Sequence, residues 1–136
     1  MVITPDAVTQ PYWDACRRRE LRLQRCSDCR TFLHFPGLLC WRCGGARLDW
    51  EKVSGNGRIY SFVVVHHATI PEFKPRVPYV VAWIELDDSP AVRVLSDLVE
   101  CDASKVRIDD RVEVVFDDAS VPGFVVPRFR PLSSRR

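Results

Sequence analysis

The sequence predicts a mainly β protein with a short N-terminal helix, a metal-binding ribbon built on four cysteines, and a five-stranded β-barrel. Two C-x-x-C pairs stand ten residues apart in the segment CSDCRTFLHFPGLLCWRCGG. Five runs rich in β-branched and aromatic residues follow, separated by turn-forming dipeptides. The 136 residues and their 46% hydrophobic content suit one domain with a small appendage.

The chain divides into three predicted parts. Residues 1–25 hold the helix and a lead-in strand, residues 26–50 the ribbon, and residues 51–136 the barrel. In the first part, Thr9 is a potential N-cap and Pro11 lies near the first turn, which predicts a helix over residues 11–19. The segment ELRLQRC then alternates Leu21 and Leu23 with polar residues, which is the period of a strand.

The cysteines Cys26, Cys29, Cys40 and Cys43 have the spacing of a structural metal site. Two residues between paired cysteines let one tight turn aim both sulfurs at one ion. Zinc takes four thiolates tetrahedrally, and such a closed shell leaves no position for a substrate. We therefore expect one structural Zn²⁺ ion. Iron in an electron carrier would use the same ligands and is the alternative.

The sequence shows no N-terminal leader and no long apolar run, so we expect a cytoplasmic protein that makes no membrane contact. In that reducing compartment, clustered cysteines are ligands more often than disulfides. Cys16 and Cys101 lie outside the cluster and are expected to be small buried hydrophobic residues.

Five strands are predicted after a Gly-rich turn at residues 54–57. They are RIYSFVVVHH, PYVVAWIELDD, AVRVLSDLVE, RVEVVF and GFVVPRF. A helical turn capped by Asp102 separates the third strand from the fourth, with Val106 and Ile108 turned inward. This order indicates a Greek-key barrel of the OB-fold type, and an SH3-like barrel or a small sandwich are the alternatives.

The charge distribution bears on nucleic-acid binding, which both OB-folds and zinc ribbons can perform. Net charge is +2, but the stretch 85–118 has eleven acidic residues against four basic ones. Phosphate binding needs Lys and Arg, so this acidic surplus argues against a single-stranded nucleic-acid binder.

Catalytic side chains are scarce. His34 lies in the ribbon, and the adjacent His66 and His67 would point to opposite faces of a strand. No nucleophile elbow or P-loop is present. The residues alone therefore predict a binding or assembly module rather than an enzyme. Candidate partner contacts on the ribbon are Phe32, Phe35, Pro36 and Trp41, because so short a segment cannot bury all of them. Packing of these residues against the N-terminal helix is the alternative.

The ordered motifs resemble the DUF35 family. The matching positions are Cys26, Cys29, Phe35-Pro36, Cys40, Cys43, Trp50, Ser54-Gly55, Gly57, YSF at 60–62 and PYVVA at 78–82. The later segments VRIDDRVEVVF and PRFRP look like the family's usual ending. Two positions depart from the pattern: Arg30 stands where Gly is usual, and Trp41 where Pro is usual. Either Arg30 takes a positive φ at modest cost, or the turn differs slightly from the family pattern.

The resemblance implies a rubredoxin-like zinc ribbon followed by an OB-fold. It also implies a noncatalytic subunit of a thiolase-like acyl-CoA enzyme, such as an aldolase or thiolase of lipid or steroid side-chain degradation. A hotdog-fold enoyl-CoA hydratase is the alternative partner. The catalytic residues would then belong to the partner subunit.

The loop HHATIPEFKPRVPY, between the first two barrel strands, is a candidate contact for an acyl-CoA ester. Its three prolines predict a stiff, extended conformation. The candidate ligand residues are His66, Phe73, Lys74, Arg76 and Tyr79. A solvated connector is the simpler interpretation, because no phosphate-cradling glycine motif accompanies these charges.

Overall fold

The computed structural model describes residues 3–89 and 92–132, and Arg135 and Arg136 lie outside this part. The mainly β prediction is confirmed. The elements are α1 (Gln10–Arg17), β1 (Leu21–Cys26), β2 (Phe32–Leu33), β3 (Leu48–Val53), β4 (Asn56–Val65), a 3-10 helix (Pro71–Arg76), β5 (Tyr79–Leu86), β6 (Arg93–Leu98), a second 3-10 helix (Ala103–Lys105), β7 (Arg111–Asp117) and β8 (Val126–Pro131). Among the described residues, no helix is long and apolar enough to cross a membrane.

Helix α1 begins after Thr9, as predicted, but ends two residues earlier than predicted. The Thr9 hydroxyl accepts a hydrogen bond from the Asp6 N–H, in the turn before the helix, rather than from the helix itself. Arg19 takes a left-handed φ of 62°, which stops helical continuation. Ala15 and Cys16 are fully buried on the inner face, which confirms the prediction for Cys16.

The ribbon is built on a three-stranded antiparallel sheet in the order β2-β1-β3. Strand β1 pairs with β3 from Leu21 opposite Val53 to Cys26 opposite Leu48. Its alternating leucines face inward, as their period predicted.

The barrel closes in the order β4-β5-β6-β8-β7, with β7 returning to β4. All neighbours are antiparallel except β6 and β8, which pair in parallel at Leu98 and Phe129. This five-stranded closure confirms the OB-fold prediction over the sandwich. Asp102 caps the second 3-10 helix by accepting a hydrogen bond from the Ser104 N–H, also as predicted.

One buried cluster joins the ribbon to the barrel. Leu21, Leu23 and Phe32 of the ribbon belong to the same core as Ile84 and Phe129 of the barrel. The prediction that Ile108 turns inward is wrong: Val106 is buried, but Ile108 is 51% exposed. The second 3-10 helix ends before Ile108, so helical spacing does not carry that side chain to the core.

Candidate functional site

The structure gathers the four predicted cysteine ligands at one end of the ribbon. Their sulfur atoms all lie within 4.8 Å of one another. Cys26 Sγ is 3.6 Å from Cys43 Sγ, and Cys29 Sγ is 3.6 Å from Cys40 Sγ. A disulfide needs about 2.05 Å between sulfurs, so these are free thiols. Four thiolates at about 2.3 Å from one ion stand about 3.8 Å apart, so the thiols fit a tetrahedral metal ion.

Two similar turns aim the sulfurs. The Arg30 N–H donates to the Cys26 carbonyl, and the Gly44 N–H donates to the Cys40 carbonyl, each at 2.9 Å. Arg30 and Gly44 both have left-handed φ angles, of 65° and 74°. Of the two alternatives for Arg30, the positive φ is thereby confirmed, and the Arg30 guanidinium pairs with Glu51 at 3.3 Å.

Backbone amides around the second cysteine turn face the sulfurs. The Arg42 N–H donates to Cys40 Sγ and the Gly45 N–H donates to Cys43 Sγ, both at 3.4 Å. A Cβ on Gly45 would lie 2.8 Å from Asp28 Oδ2 and 3.3 Å from Cys43 Sγ. Glycine fits this close approach without moving either side chain, and the amides stabilise negative charge on sulfur.

The electrostatics of the cluster favour a cation. The Thr31 hydroxyl and N–H lower the pKa of the Cys29 thiol to about 6. The Gly45 N–H lowers the pKa of Cys43, but the neighbouring thiols and partial burial outweigh it and raise that pKa to about 12. Four thiolates this close repel one another, so full deprotonation needs a positive ion among them.

The predicted contact residues of the ribbon separate into buried and exposed groups. Phe32 is only 7% exposed, and the Arg25 guanidinium covers its ring at 4.3 Å, so it is not the exposed aromatic that was expected. Its position in β2 turns it toward the shared core. Phe35 and Trp41 are 67% and 62% exposed, and Pro36 is half-buried. Of the four predicted ribbon contacts, Phe35, Pro36 and Trp41 are therefore accessible to a partner.

The candidate ligand loop is not extended as predicted. Pro71–Arg76 forms a 3-10 helix with Pro75 inside it, because the φ that proline fixes suits a 3-10 helix as well as an extended chain. The helix brings Phe73 and Arg76 beside Tyr79. The Arg76 guanidinium lies 5.2 Å from the Phe73 ring and 5.6 Å from the Tyr79 ring.

Arg76 is already paired within the chain, to Asp97 at 2.7 Å. Lys74 and His66 are exposed, and His66 directly follows the end of β4. The structure therefore clusters three of the five candidate ligand residues and leaves Lys74 and His66 on the surrounding surface.

A buried ion-pair network beside this loop was not predicted from the sequence. Arg128 is 8% exposed and contacts Asp97 at 2.7 Å and Asp117 at 2.8 Å. Partial burial raises the pKa of Asp117, but hydrogen bonds from Ser120, Ala119 and Arg128 outweigh it and hold that pKa well below its usual range. Asp97 joins this network to Arg76, so it anchors the loop to the barrel.

Burial changes the pKa of three other titratable groups. Burial lowers the pKa of His34 to about 4, so this imidazole is neutral near pH 7. Burial also raises the pKa of the Cys16 thiol to about 12, which removes its nucleophilic form. Cys101 is half-buried, and burial likewise raises its pKa.

Two family models match the chain. The ChsH2 rubredoxin-like zinc ribbon domain matches residues 13–49, and the ChsH2 C-terminal OB-fold domain matches residues 50–117. A DUF35 domain-containing scaffold protein of Methanothermobacter thermautotrophicus is 38% identical over 101 residues, which are 74% of each chain. The chain belongs to the DUF35 family. The resemblance noted in the sequence is confirmed.

Two longer relatives of this DUF35 chain have names that mention hydration of CoA esters. One is a probable enoyl-CoA hydratase alpha subunit of Thermomonospora curvata, 36% identical over 120 residues. The other is the 3-oxo-4,17-pregnadiene-20-carboxyl-CoA hydratase alpha subunit of Mycobacterium tuberculosis, 32% identical over 124 residues. The matches cover 88% and 85% of this chain but only 36% and 38% of those proteins.

A solved structure of an Ltp2–ChsH2 (DUF35) aldolase contains a chain of the same fold. It superposes on this DUF35 chain with a TM-score of 0.84 at 33% identity. The superposition covers 96% of this chain and 98% of that one, so both consist of the same ribbon and barrel.

Proposed function

We propose that this DUF35 chain is a noncatalytic accessory subunit of a thiolase-like acyl-CoA enzyme, an aldolase or thiolase of lipid or steroid side-chain degradation. The observation that carries the proposal is the end-to-end match to a chain of the Ltp2–ChsH2 aldolase. The full burial and raised pKa of Cys16 agree with a partner that supplies the catalytic residues.

Zinc is the metal that we propose for Cys26, Cys29, Cys40 and Cys43. The zinc-ribbon family match and the sulfur spacing both support it. The ion would fix the ribbon and perform no chemistry, because four thiolates fill its coordination shell.

A hydratase partner is the second candidate, supported by the names of the two longer relatives. Nucleic-acid binding gains no support, because many arginines near the barrel are ion-paired to its acidic residues. These pairs are Arg19–Asp118, Arg58–Glu85, Arg111–Asp87, Arg128–Asp97 and Arg130–Glu113.

The direct test is capture of the partner. We expect the tagged chain, purified from its host, to bring down a thiolase-fold protein in a fixed ratio, identified by mass spectrometry. The assembled complex should act on acyl-CoA substrates, and this chain alone should not. Recovery of a hotdog-fold hydratase instead would select the second candidate. A chain that purifies alone from cells expressing such enzymes would contradict both.

The first 3-10 helix, Pro71–Arg76, remains a proposed contact for the acyl-CoA phosphates through Lys74 and Arg76. We expect Lys74→Ala combined with Arg76→Ala to raise the Michaelis constant of the assembled complex up to about tenfold, since exposed charge pairs contribute about 1 kcal/mol or less each. Complex assembly should not change. Because Arg76 also pairs with Asp97, the single Lys74→Ala variant isolates the ligand effect.

A matched control removes the same charge elsewhere, by Lys105→Ala combined with Arg107→Ala, two exposed residues after β6. Its Michaelis constant should match wild type. If the Lys74 and Arg76 variants also keep wild-type kinetics, the loop is a connector and the proposed ligand contact is wrong.

A further inference from the structure

The outer surface of β4, β5 and β6 carries exposed apolar side chains that are continuous with the ribbon. Strand pairing places Trp83 directly opposite Leu95, and Val63 opposite Val81. Directly opposed side chains share a face of a sheet. Two exposed ribbon aromatics extend this surface, and so does Tyr60, which lies at a register shift in β4. We call the whole surface the apolar face and define it by Phe35, Trp41, Tyr60, Val63, Trp83 and Leu95.

A groove of about 450 Å³ crosses the apolar face where the ribbon meets the barrel. Trp41 of the ribbon lines it together with Tyr60 and Trp83 of the barrel. His34 also lines the groove, and its ring centroid lies 4.7 Å from that of Phe35. The groove therefore connects the exposed ribbon aromatics to the sheet as one surface.

The apolar face is large enough for a protein interface. Phe35, Trp41, Tyr60 and Trp83 are 67%, 62%, 45% and 39% exposed. At about 200 Å² for each aromatic side chain, these fractions amount to about 400 Å² before Val63 and Leu95 are added. An apolar patch of this size on a monomer is often functional. It can form the apolar centre of an interface that buries about 800 Å² per partner.

The composition of the groove is that of an interface centre, where Trp, Tyr and Arg dominate binding energy. Arg93 stacks its guanidinium 3.7 Å from the Tyr60 ring and lies 4.0 Å from Glu85, so its charge is balanced within the chain. Within residues 3–89 and 92–132, the buried atoms His34 Nδ1 and Arg93 Nε have no hydrogen-bond partner.

We propose that the apolar face is the docking surface for the catalytic subunit, with Trp41 and Trp83 at its energetic centre. This inference rests on the proposed function. The occupant is an apolar, weakly charged patch of a folded enzyme subunit, because the groove is lined mainly by apolar and aromatic side chains and its Arg93 lies against Glu85. A different protein fits better than a second copy, since the solved aldolase pairs a chain of this fold with Ltp2.

The test compares two double variants of the full chain against the recombinant thiolase-fold subunit recovered with the tagged wild type. Trp41→Ser combined with Trp83→Ser should weaken binding at least about 30-fold by calorimetry. The control, Ile70→Ser combined with Ile108→Ser, changes two residues that are 48% and 51% exposed and do not line the groove. It should bind within about twofold of wild type.

Wild-type affinity should also change little between about 0.05 and 0.5 M NaCl, because the contact is apolar. Zinc content and thermal melting establish that each variant is folded. If the tryptophan variant fails that check, Leu95→Glu replaces it, since this change places a charge on the same face without altering the ribbon.

The docking surface is overturned if the tryptophan variant binds the thiolase-fold subunit as tightly as wild type does. It is also overturned if the tryptophan variant and the isoleucine control lose the same amount of affinity. Either result leaves the proposed function intact. A wild-type chain that sediments alone as a dimer, and that the tryptophan variant converts to a monomer, would assign the face to a second copy. Recovery of no thiolase-fold subunit by wild type would overturn both proposals.

Discussion

We expect a Cys40→Ser protein to lose the proposed zinc ion and the fixed structure of its ribbon. Cys40 is only 3% exposed and packs with Cys26 and Leu33, so a serine cannot turn to solvent without opening this small cluster. Structural zinc contributes on the order of 10 kcal/mol or more to the folding of ribbon-type sites. The barrel will also melt at a lower temperature, because Leu21 and Phe32 belong to the shared core.

Elemental analysis and thermal melting measure this effect. The matched control is Cys101→Ser, which changes a half-buried cysteine outside the ribbon and should keep the zinc content of wild type. A chelator should lower the melting temperature of wild type toward that of Cys40→Ser. Equal zinc in Cys40→Ser and wild type would exclude the cysteine site, and a visible absorption band in the purified protein would indicate iron instead.

The fold could be predicted because its main signals are local. Cysteine spacing specifies the two metal-binding turns, and the alternation in ELRLQRC gave the correct inner face of β1. The strand order favoured the OB-fold, and the insertion capped by Asp102 lies between β6 and β7 as the sequence indicated, but barrel closure depends on strand pairing that the sequence left open.

The candidate site was harder to predict, because it depends on which residues meet across strands. Phe32 is buried only because β2 pairs with β1 and turns that ring onto the shared core. Likewise, Arg128 is buried in an ion-pair network because the barrel strands bring it between Asp97 and Asp117. Neither partnership has a signature in sequence spacing.

The apolar face did leave a signal that could have been used. A strand with one solvent face alternates apolar and polar residues, but PYVVAWIEL is apolar in both phases. Val80, Ala82 and Ile84 point inward, and Trp83 points outward with Leu95 opposite it. An antiparallel strand that is apolar on both faces indicates a second covering layer, and the described part of this chain does not supply one over Trp83.

The glycines of the S-G-x-G segment carry the second large effect that we expect. Gly57 lies in β4 between Leu86 of β5 and Val112 of β7, and the β5 backbone crowds its Cβ position. A Cβ at Gly57 would lie 2.5 Å from the Glu85 carbonyl oxygen and 3.1 Å from Ile84 Cγ2. Because a strand backbone cannot move aside without breaking the barrel pairing, we expect Gly57→Ala to lower the free energy of unfolding by about 3 kcal/mol.

Chemical denaturation measures this loss, and Gly37→Ala is its control, because the nearest atom to a Cβ there is the Leu39 carbonyl oxygen at 3.9 Å. The control should change stability by about 0.5 kcal/mol or less. Equal free energies of unfolding for Gly57→Ala and Gly37→Ala would contradict the close contact between Gly57 of β4 and the Glu85 backbone of β5.

Substitution of Gly55 tests crowding by a side chain, whereas substitution of Gly57 tests crowding by backbone. Its φ is 82°, and a Cβ there would overlap the Val114 side chain. Gly55→Ala should therefore combine a left-handed strain of about 1–2 kcal/mol with the overlap. Adding Val114→Ala removes the overlapping methyl groups and should recover about 1–2 kcal/mol of the loss as a measurable coupling energy. The same Val114→Ala change should recover nothing in Gly57→Ala, because there the obstruction is the Glu85 backbone, which no side-chain substitution removes.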